Sequence, residues 1–262
     1  MLHHRCALIF ILAAAFASSA PAASNLSFET GNLNGWDVHG YATVVDANFG
    51  ISPTHGTYQA KVESSPNGQA AATLASNVGI DLATFEQWAA FPSGYFGPDP
   101  QPPMYPVEGS AISQEIALGA GDWVSFDYHF LTNELPNTQT HNDFSFAALV
   151  GPGGNLVDGF VLANTYDVEI DWTLTTAYTS WLPDGNYQSA ELFAGSTAGL
   201  HRLVFGVLDA ADDGEDVSWS SVVLVDNVNT HVIPLPAAAW SGLALLGLMS
   251  VPAILRRRRL AA

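Results

Sequence analysis

The sequence predicts an all-β protein in which one β-sandwich, a jelly roll with long loops, lies between an N-terminal signal peptide and one C-terminal transmembrane helix. Between residues 24 and 232 the apolar segments are short and alternate with polar residues, and Gly, Pro, Asn and Asp bound them. No long helical periodicity interrupts this region. We therefore expect a single domain over residues 24–232.

Residues 1–22 have the features of a secretory signal peptide. A basic start ending at Arg5 precedes the apolar run 6–17, and Ala20-Pro21-Ala22 supplies a small-residue cleavage site. The only cysteine, Cys6, lies in this segment. The exported domain therefore has no disulfide, and a divalent metal is a candidate for holding its loops.

The first half of the domain contains short strand signals and one helix signal. Strands are predicted over residues 26–29, 36–38, 41–46 and 58–63. Residues 80–90 predict a short helix, because Asp81 can cap it and Leu82, Phe85 and Trp88 recur at every third position. Residues 91–109 are rich in Pro, Gly and aromatic residues, which predicts a long surface loop.

The second half has the clearest strand signals. Strands are predicted over residues 111–118, 123–131, 144–150, 156–162, 201–208 and 222–232. In the second of these, alternation places Trp123, Ser125, Asp127 and His129 on one face. Residues 151–155, Gly-Pro-Gly-Gly-Asn, predict a hairpin turn. Residues 163–198 remain ambiguous: residues 167–175 alternate, and residues 176–197 form a loop or an edge element.

The charge distribution is strongly acidic once both ends are set aside. Five of the seven Lys and Arg residues lie in the end segments, which leaves Lys61 and Arg202 against all 25 Asp and Glu residues, a net charge of −23. Such a domain repels nucleic acid and anionic lipid surfaces at long range and attracts cations. We therefore expect no nucleic-acid partner.

Residues 233–262 have the features of a C-terminal sorting signal that inserts into a membrane. Residues 237–255 contain no charge and form a helix of about 28 Å, close to the thickness of a bilayer core. Arg256, Arg257, Arg258 and Arg259 follow and would stay on the cytoplasmic side. The sequence before the helix reads Ile233, Pro234, Leu235, Pro236 and Ala237.

This order of motif, apolar helix and arginines resembles the VPLPA variant of the PEP-CTERM sorting signal, with Ile233 in place of Val. The resemblance implies export from a bacterium and recognition and cleavage near the motif by an exosortase, often in organisms that make extracellular polysaccharide. Contact with the membrane through the helix would then be transient. An ordinary membrane anchor is the alternative.

Two further resemblances concern the domain. Ser27 to Gly31 leading to Gly35-Trp36, then Ser113-Gln114 and Val225 to Val228, resemble the galactose-binding-like jelly rolls of exported bacterial proteins. Residues 125–130 with 132–134, Asn142-Asp143-Phe144 and 151–153 resemble a pattern of surface proteins that use interchangeable anchors, although Leu135-Pro136 departs from it. Neither resemblance implies a reaction.

Several acidic residues are candidate metal ligands. In the jelly-roll class the opening and last strands lie close together, so Glu29 and Asp226 could hold a structural Ca²⁺ through their oxygens. The alternative is that they only cap turns. Asp209 begins an acidic loop that extends to Asp216 and is a second candidate ligand, although a run of charges is more often a solvated loop.

Glu134, Asn142 and Asp143 flank a loop and could bind a cation or a ligand, or brace the loop through Asx turns. For stacking on sugar rings we expect Trp88, Tyr95 and Tyr105 to be the exposed aromatic residues, with burial in the core as the alternative.

These features favour a non-enzymatic surface or extracellular-matrix protein that associates with extracellular polysaccharide. A lectin-like carbohydrate-binding module and an extracellular glycoside-active hydrolase are the alternatives. No Gly-x-Ser-x-Gly and no His-Glu-x-x-His motif is present, and no cysteine nucleophile remains after export, so catalysis has little support in the sequence.

Overall fold

The computed structural model describes residues 25–64, 67–91, 103–133, 141–165, 182–183, 186–211 and 220–233. The predicted signal peptide and nearly all of the sorting segment, from Pro234 to Ala262, lie outside these ranges. Within them, no helix is both long enough and apolar enough to cross a membrane.

Within the described ranges, twelve β-strands form two antiparallel six-stranded sheets that pack as a sandwich. Sheet A has the order β1-β5-β11-β7-β8, with β4 beside β5, and sheet B has the order β10-β6-β12-β3-β2, with β9 beside β6. The strands are β1 (Asp37–His39), β2 (Tyr41–Val45), β3 (Gln59–Glu63), β4 (Gln69–Ala70), β5 (Tyr105–Leu118), β6 (Trp123–Thr132), β7 (Phe144–Val150), β8 (Leu156–Asn164), β9 (Leu182–Pro183), β10 (Gln188–Phe193), β11 (Gly199–Ala211) and β12 (Ser221–His231). The predicted all-β sandwich is confirmed.

The main core lies between the sheets. On β6 the predicted alternation is confirmed, because Val124, Phe126, Tyr128 and Phe130 all enter this core. From sheet A, Phe205 packs edge-on against Phe126, with ring centroids 4.7 Å apart. Burial of these large apolar side chains supplies the main favourable term in the folding of the domain.

Two helices cover the outer face of sheet A. Helix α1 (Ala71–Val78) and helix α2 (Leu82–Ala89) bury Leu74 and Phe85 against a second apolar cluster that includes Phe146 of β7. The predicted helix over 80–90 is confirmed as α2, whereas α1 was not predicted. Asp81 occupies the N-cap position of α2, but its side chain makes no capping hydrogen bond.

The described residues cover only part of the outer face of sheet B. The loop between β2 and β3, with a short 3₁₀ helix at Ala47–Phe49, packs Ile51 onto Leu131 and Leu224. Tyr187 lies edge-on to His129 and donates a hydrogen bond to the Gln59 amide oxygen. The part of the face that carries Trp123 and Phe193 remains accessible to solvent.

Two local predictions are wrong. Residues 26–29 form turns instead of a strand, because Phe28 takes a positive φ of 65° and stacks on Trp36 with ring centroids 5.2 Å apart. Residues 105–109 belong to β5 and not to a surface loop, since they pair with the end of β11. Residues 188–193, within the region for which the sequence leaves a loop and an edge element open, form the edge strand β10.

Candidate functional site

The Glu29 side chain is held by the loop that precedes β3. Its Oε2 accepts a hydrogen bond from the Thr57 N–H at 2.9 Å, and its Oε1 accepts one from the Tyr58 N–H at 3.3 Å. Gly56 has a φ of +64°, and a Cβ there would overlap the Glu29 carboxylate. Glycine therefore serves two purposes at position 56, since it adopts the left-handed backbone and leaves room for the carboxylate.

Asp226 lies in β12, in the middle of sheet B, where it is fully buried. Its carboxylate accepts hydrogen bonds from the backbone N–H groups of His55, at 2.7 Å, and Asn227, at 2.6 Å. Burial raises the pKa of Asp226, while the hydrogen bonds from these two N–H groups oppose the increase. The Asp226 carboxylate is therefore fixed in position beside the loop that holds Glu29.

A second carboxylate lies opposite Asp226. Asp127 on β6 is its direct partner across the strand pair, and like charges at such positions are destabilising. The Thr54 hydroxyl lies 2.8 Å from Asp127 Oδ2 and 3.1 Å from Asp226 Oδ2. A hydroxyl has one proton to donate, so it can satisfy only one of the two carboxylates at a time. Asp127 also accepts hydrogen bonds from the Ser189 hydroxyl at 2.6 Å and from Asn227 Nδ2 at 3.0 Å, so both carboxylates have other donors. A cation bound beside them would offset their mutual repulsion.

Glu29, His55 and Asp226 form the candidate metal centre. One potential ligand atom from each lies within 4.8 Å of the other two, and no other group of three or more such side chains occurs in the described part of the chain. The carboxylate oxygens suit hard cations such as Ca²⁺, whereas an imidazole nitrogen suits transition metals. The centre joins the N-terminal turn, the β2–β3 loop and β12.

The structure therefore brings Glu29 and Asp226 together, as the resemblance to jelly rolls led us to expect; the ion itself stays a prediction. The sequence reasoning missed Thr54, His55 and Asp127. Their proximity depends on the register of β6 against β12 and on the path of the β2–β3 loop, for which no local sequence signal exists.

Asp209 and Asp143 lie elsewhere, as a hydrogen-bonded pair at the end of the sandwich where β6 ends and β12 begins. Asp143 accepts hydrogen bonds from the Ala210 N–H at 3.2 Å and from the Ser221 hydroxyl at 2.6 Å. Burial raises the pKa of the Asp143 carboxyl to about 6. This geometry fits a brace between β7, β11 and β12 and does not place Asp209 with Glu29 and Asp226.

The remaining predicted ligand residues have separate positions. Asn142 is buried, and its Nδ2 donates to the Ala89 carbonyl at 2.7 Å, which supports the loop-bracing alternative. Trp88 was expected to be exposed but is partly buried, packed on Phe85 and Phe146 at ring distances of 5.8 and 5.6 Å. Tyr105 is exposed at the start of β5. Glu134 and Tyr95 lie outside the described residues.

Comparisons with known proteins identify no family for this chain. No protein-family model matches it, and no curated protein matches it. Among solved structures, TmCBM61 in complex with β-1,4-galactotriose is similar at 15% identity and a TM-score of 0.39, over 80% of this chain and 97% of that one. A non-crystalline cellulose specific carbohydrate-binding module, CBM28, is similar at 14% identity and a TM-score of 0.41, over 81% of this chain and 95% of that one. A xylan-binding domain from Paenibacillus barcinonensis has 9% identity and a TM-score of 0.34, over 83% of this chain and 100% of that one. At these identities and TM-scores the likenesses are too distant to assign the chain to a family.

Proposed function

We propose that this chain is an exported, non-catalytic carbohydrate-binding protein whose β-sandwich is a galactose-binding-like jelly roll stabilised by Ca²⁺. The observation that carries the proposal is the difference between the two outer faces. Helices α1 and α2 cover sheet A, whereas part of sheet B presents aromatic, carboxylate, amide and hydroxyl side chains to solvent. Such a mixture suits sugars, because aromatic rings stack on their apolar faces and polar groups bond to their hydroxyls.

A direct binding assay tests this function. The full exported chain, recovered from its host, is mixed with insoluble cellulose, xylan, mannan and galactan and with the host's own extracellular polysaccharide. We expect the chain to be retained on at least one of them and released by the matching soluble oligosaccharide. A chain that stays in solution with every polysaccharide would rule out carbohydrate binding.

We propose Ca²⁺ for this centre because the Glu29 and Asp226 carboxylates supply the oxygen ligands that it prefers. The chain has one cysteine and so no disulfide within it to join the segments that meet there. A bound cation would also offset the repulsion between Asp226 and Asp127. Calorimetric unfolding of the chain with added Ca²⁺ and with chelator measures this contribution. The midpoint should be higher with Ca²⁺, and identical midpoints would contradict a structural ion.

The proposal does not include hydrolysis. A glycosidase needs two carboxyl groups on either side of an accessible scissile bond. The hydrogen-bonded pair Asp143 and Asp209 is 0% and 2% exposed, so a substrate cannot reach either group.

Export and sorting complete the proposed function. The signal peptide directs the chain out of the cytoplasm, and an exosortase cleaves it near Ile233–Ala237, which leaves the domain on the cell surface or in the extracellular matrix. Mass spectrometry of the C-terminus of material from cells and medium tests this step. We expect a mature form that ends near Pro234 to Ala237. Chains that all retain Arg256–Arg259 would contradict cleavage.

A further inference from the structure

We propose that a groove on the outer side of sheet A binds an extended, uncharged glycan chain. Two cavities form this groove, with volumes of about 490 and 330 Å³. Both are lined by Gly79, which follows α1, and by Gly154, in the turn between β7 and β8, so the cavities lie side by side. Each volume falls in the range of small-molecule sites, roughly 300–1,000 Å³.

The groove runs between the helices and the β7–β8 turn. Ser76 of α1 lines one wall, and Asn155 of the turn lines the other. The floor of the larger cavity carries Glu115 of β5, Arg202 of β11 and Val150 of β7. These three residues pair directly across neighbouring strands, so their side chains project from the same face of the sheet.

Arg202 is held in place and keeps hydrogen-bond donors for a ligand. Its Nη1 donates to the Asn77 carbonyl at 3.0 Å, at the C-terminal end of α1. A guanidinium has five N–H donors, so this bond uses only one of them. Glu115 lies directly opposite Arg202, and both are among the described residues, yet their side chains form no ion pair. A sugar hydroxyl between the two would accept from Arg202 and donate to Glu115.

The rest of the groove offers both polar and apolar surface. Asp81 lines the smaller cavity and occupies the N-cap position of α2, but its side chain makes no capping hydrogen bond. Leu200, which is 40% exposed, and Pro152 line the larger cavity. A few placed polar groups beside apolar surface suit the hydroxyls and the C–H faces of a sugar chain.

The groove favours a neutral glycan over a peptide and over an acidic glycan. A peptide that adds to a sheet needs an unpaired strand edge, whereas β5, β11 and β7 beneath the groove are each paired on both sides. Glu115 and Asp81 outnumber Arg202 as charged groups in the groove. Glycans that carry uronate or sulfate groups would therefore be repelled.

This inference rests on the proposed carbohydrate binding and adds a site to the exposed part of sheet B. Isothermal titration of the full chain uses soluble gluco-, xylo-, manno- and galacto-oligosaccharides, with polygalacturonate as the anionic probe. Ser76→Trp fills the groove, because Ser76 is an exposed residue of α1 that lines it. Thr73→Trp is the matched control, because Thr73 is exposed on the same helix and lines neither cavity.

We expect Ser76→Trp to bind one oligosaccharide fewer per chain than the wild type, while Thr73→Trp binds as many as the wild type. Glu115→Ala should weaken binding in the groove by about fivefold, since it removes one hydrogen bond to a sugar hydroxyl. Glu115 is an exposed residue, so its variant reports on the groove even where Ser76→Trp alters folding. Circular dichroism checks the fold of all three variants.

Four results would overturn the groove. The first is unchanged binding in both Ser76→Trp and Glu115→Ala while the wild type binds a sugar, which leaves the proposed function intact. The second is an equal loss in Ser76→Trp and Thr73→Trp, and the third is tighter binding of polygalacturonate than of every neutral oligosaccharide. The fourth is a wild-type chain that is retained on a polysaccharide but binds no soluble oligosaccharide. Retention on no polysaccharide defeats the proposed function itself.

Discussion

His129 predicts how the stability of the domain depends on pH. It lies on the outer face of sheet B, 5% exposed, with Tyr187 edge-on at 5.2 Å, and neither ring nitrogen has a hydrogen-bond partner among the described residues. Burial lowers the pKa of this histidine from 6.5 to about 4. Between these values the unfolded chain binds a proton that the folded chain does not, so stability falls as the pH falls through this window.

The size of the effect follows from the two pKa values. At about pH 5 the His129 term costs about 2 kcal/mol, whereas at about pH 7 the cost is close to zero. Urea denaturation of the wild-type chain and of His129→Phe at both pH values measures it. The wild-type chain should lose about 2 kcal/mol more than the variant on acidification.

The comparison with the variant is necessary because buried carboxyl groups act in the opposite direction. The pKa values of Asp143 and Asp226 are raised by burial, so their contributions to stability decrease as the pH rises. Both groups are present in the wild-type chain and in His129→Phe, and their effects cancel in the difference. Equal losses of stability in the two chains would refute the assignment of a low pKa to His129.

Three further predictions concern the cores and the candidate centre. Gly206→Ala should destabilise the domain by about 2 kcal/mol or more in urea, because its Cβ would overlap the buried Phe146 ring and lie 2.9 Å from the Ser110 carbonyl oxygen. Gly154 has a φ of +76° and open space around it, so Gly154→Ala should lower the free energy of unfolding by only about 1 kcal/mol. Equal losses in the two variants would contradict the steric argument. Asp143→Asn mimics the protonated carboxyl group and should keep most of the stability of the domain at low pH. Asp143→Ala removes the hydrogen-bond acceptor and should lose about 2–3 kcal/mol of unfolding free energy. Two equally stable variants would contradict the role of Asp143 as a brace. In calorimetry, Glu29→Gln and Asp226→Asn should each abolish the rise in the unfolding midpoint that added Ca²⁺ causes, while the control Glu63→Gln should keep it. A full rise in all three variants would contradict the assignment of the ion to this centre.

The strands that sequence analysis predicted are those that bury one face in the core, because one-sided burial makes apolar and polar residues alternate along the strand. On β6 every second residue from Val124 to Phe130 enters the core, and period-two hydrophobicity is a direct consequence. The N-terminal turn was mispredicted for a different reason. Phe28 has strong strand propensity, yet stacking on Trp36 and a left-handed backbone place it in a turn. Tertiary contacts of this kind leave no local trace in the sequence.

The site was less accessible to sequence reasoning than the fold. Glu29 and Asp226 were paired only through resemblance, since almost the whole domain separates them along the chain. Asp127 joins them because β6 and β12 pair in one register, and an irregularity between Asp226 and Asn229 then shifts that register before His231 meets Trp123. One bulged position therefore decides which side chains stand beside Trp123. Alternation within a single strand cannot reveal such a shift.

The end of β12 also determines how the domain carries mechanical load. The Ile233 N–H donates to the Asp122 carboxylate at 2.8 Å, so the chain leaves the sandwich at a fixed point beside the turn that precedes β6. Strand β12 lies between β6 and β3 in sheet B. A pull on the C-terminal segment directed along β12 would load the hydrogen-bond ladders on both sides of this strand. A tail attached to a surface would therefore hold the domain through a central strand of sheet B and not through an edge strand.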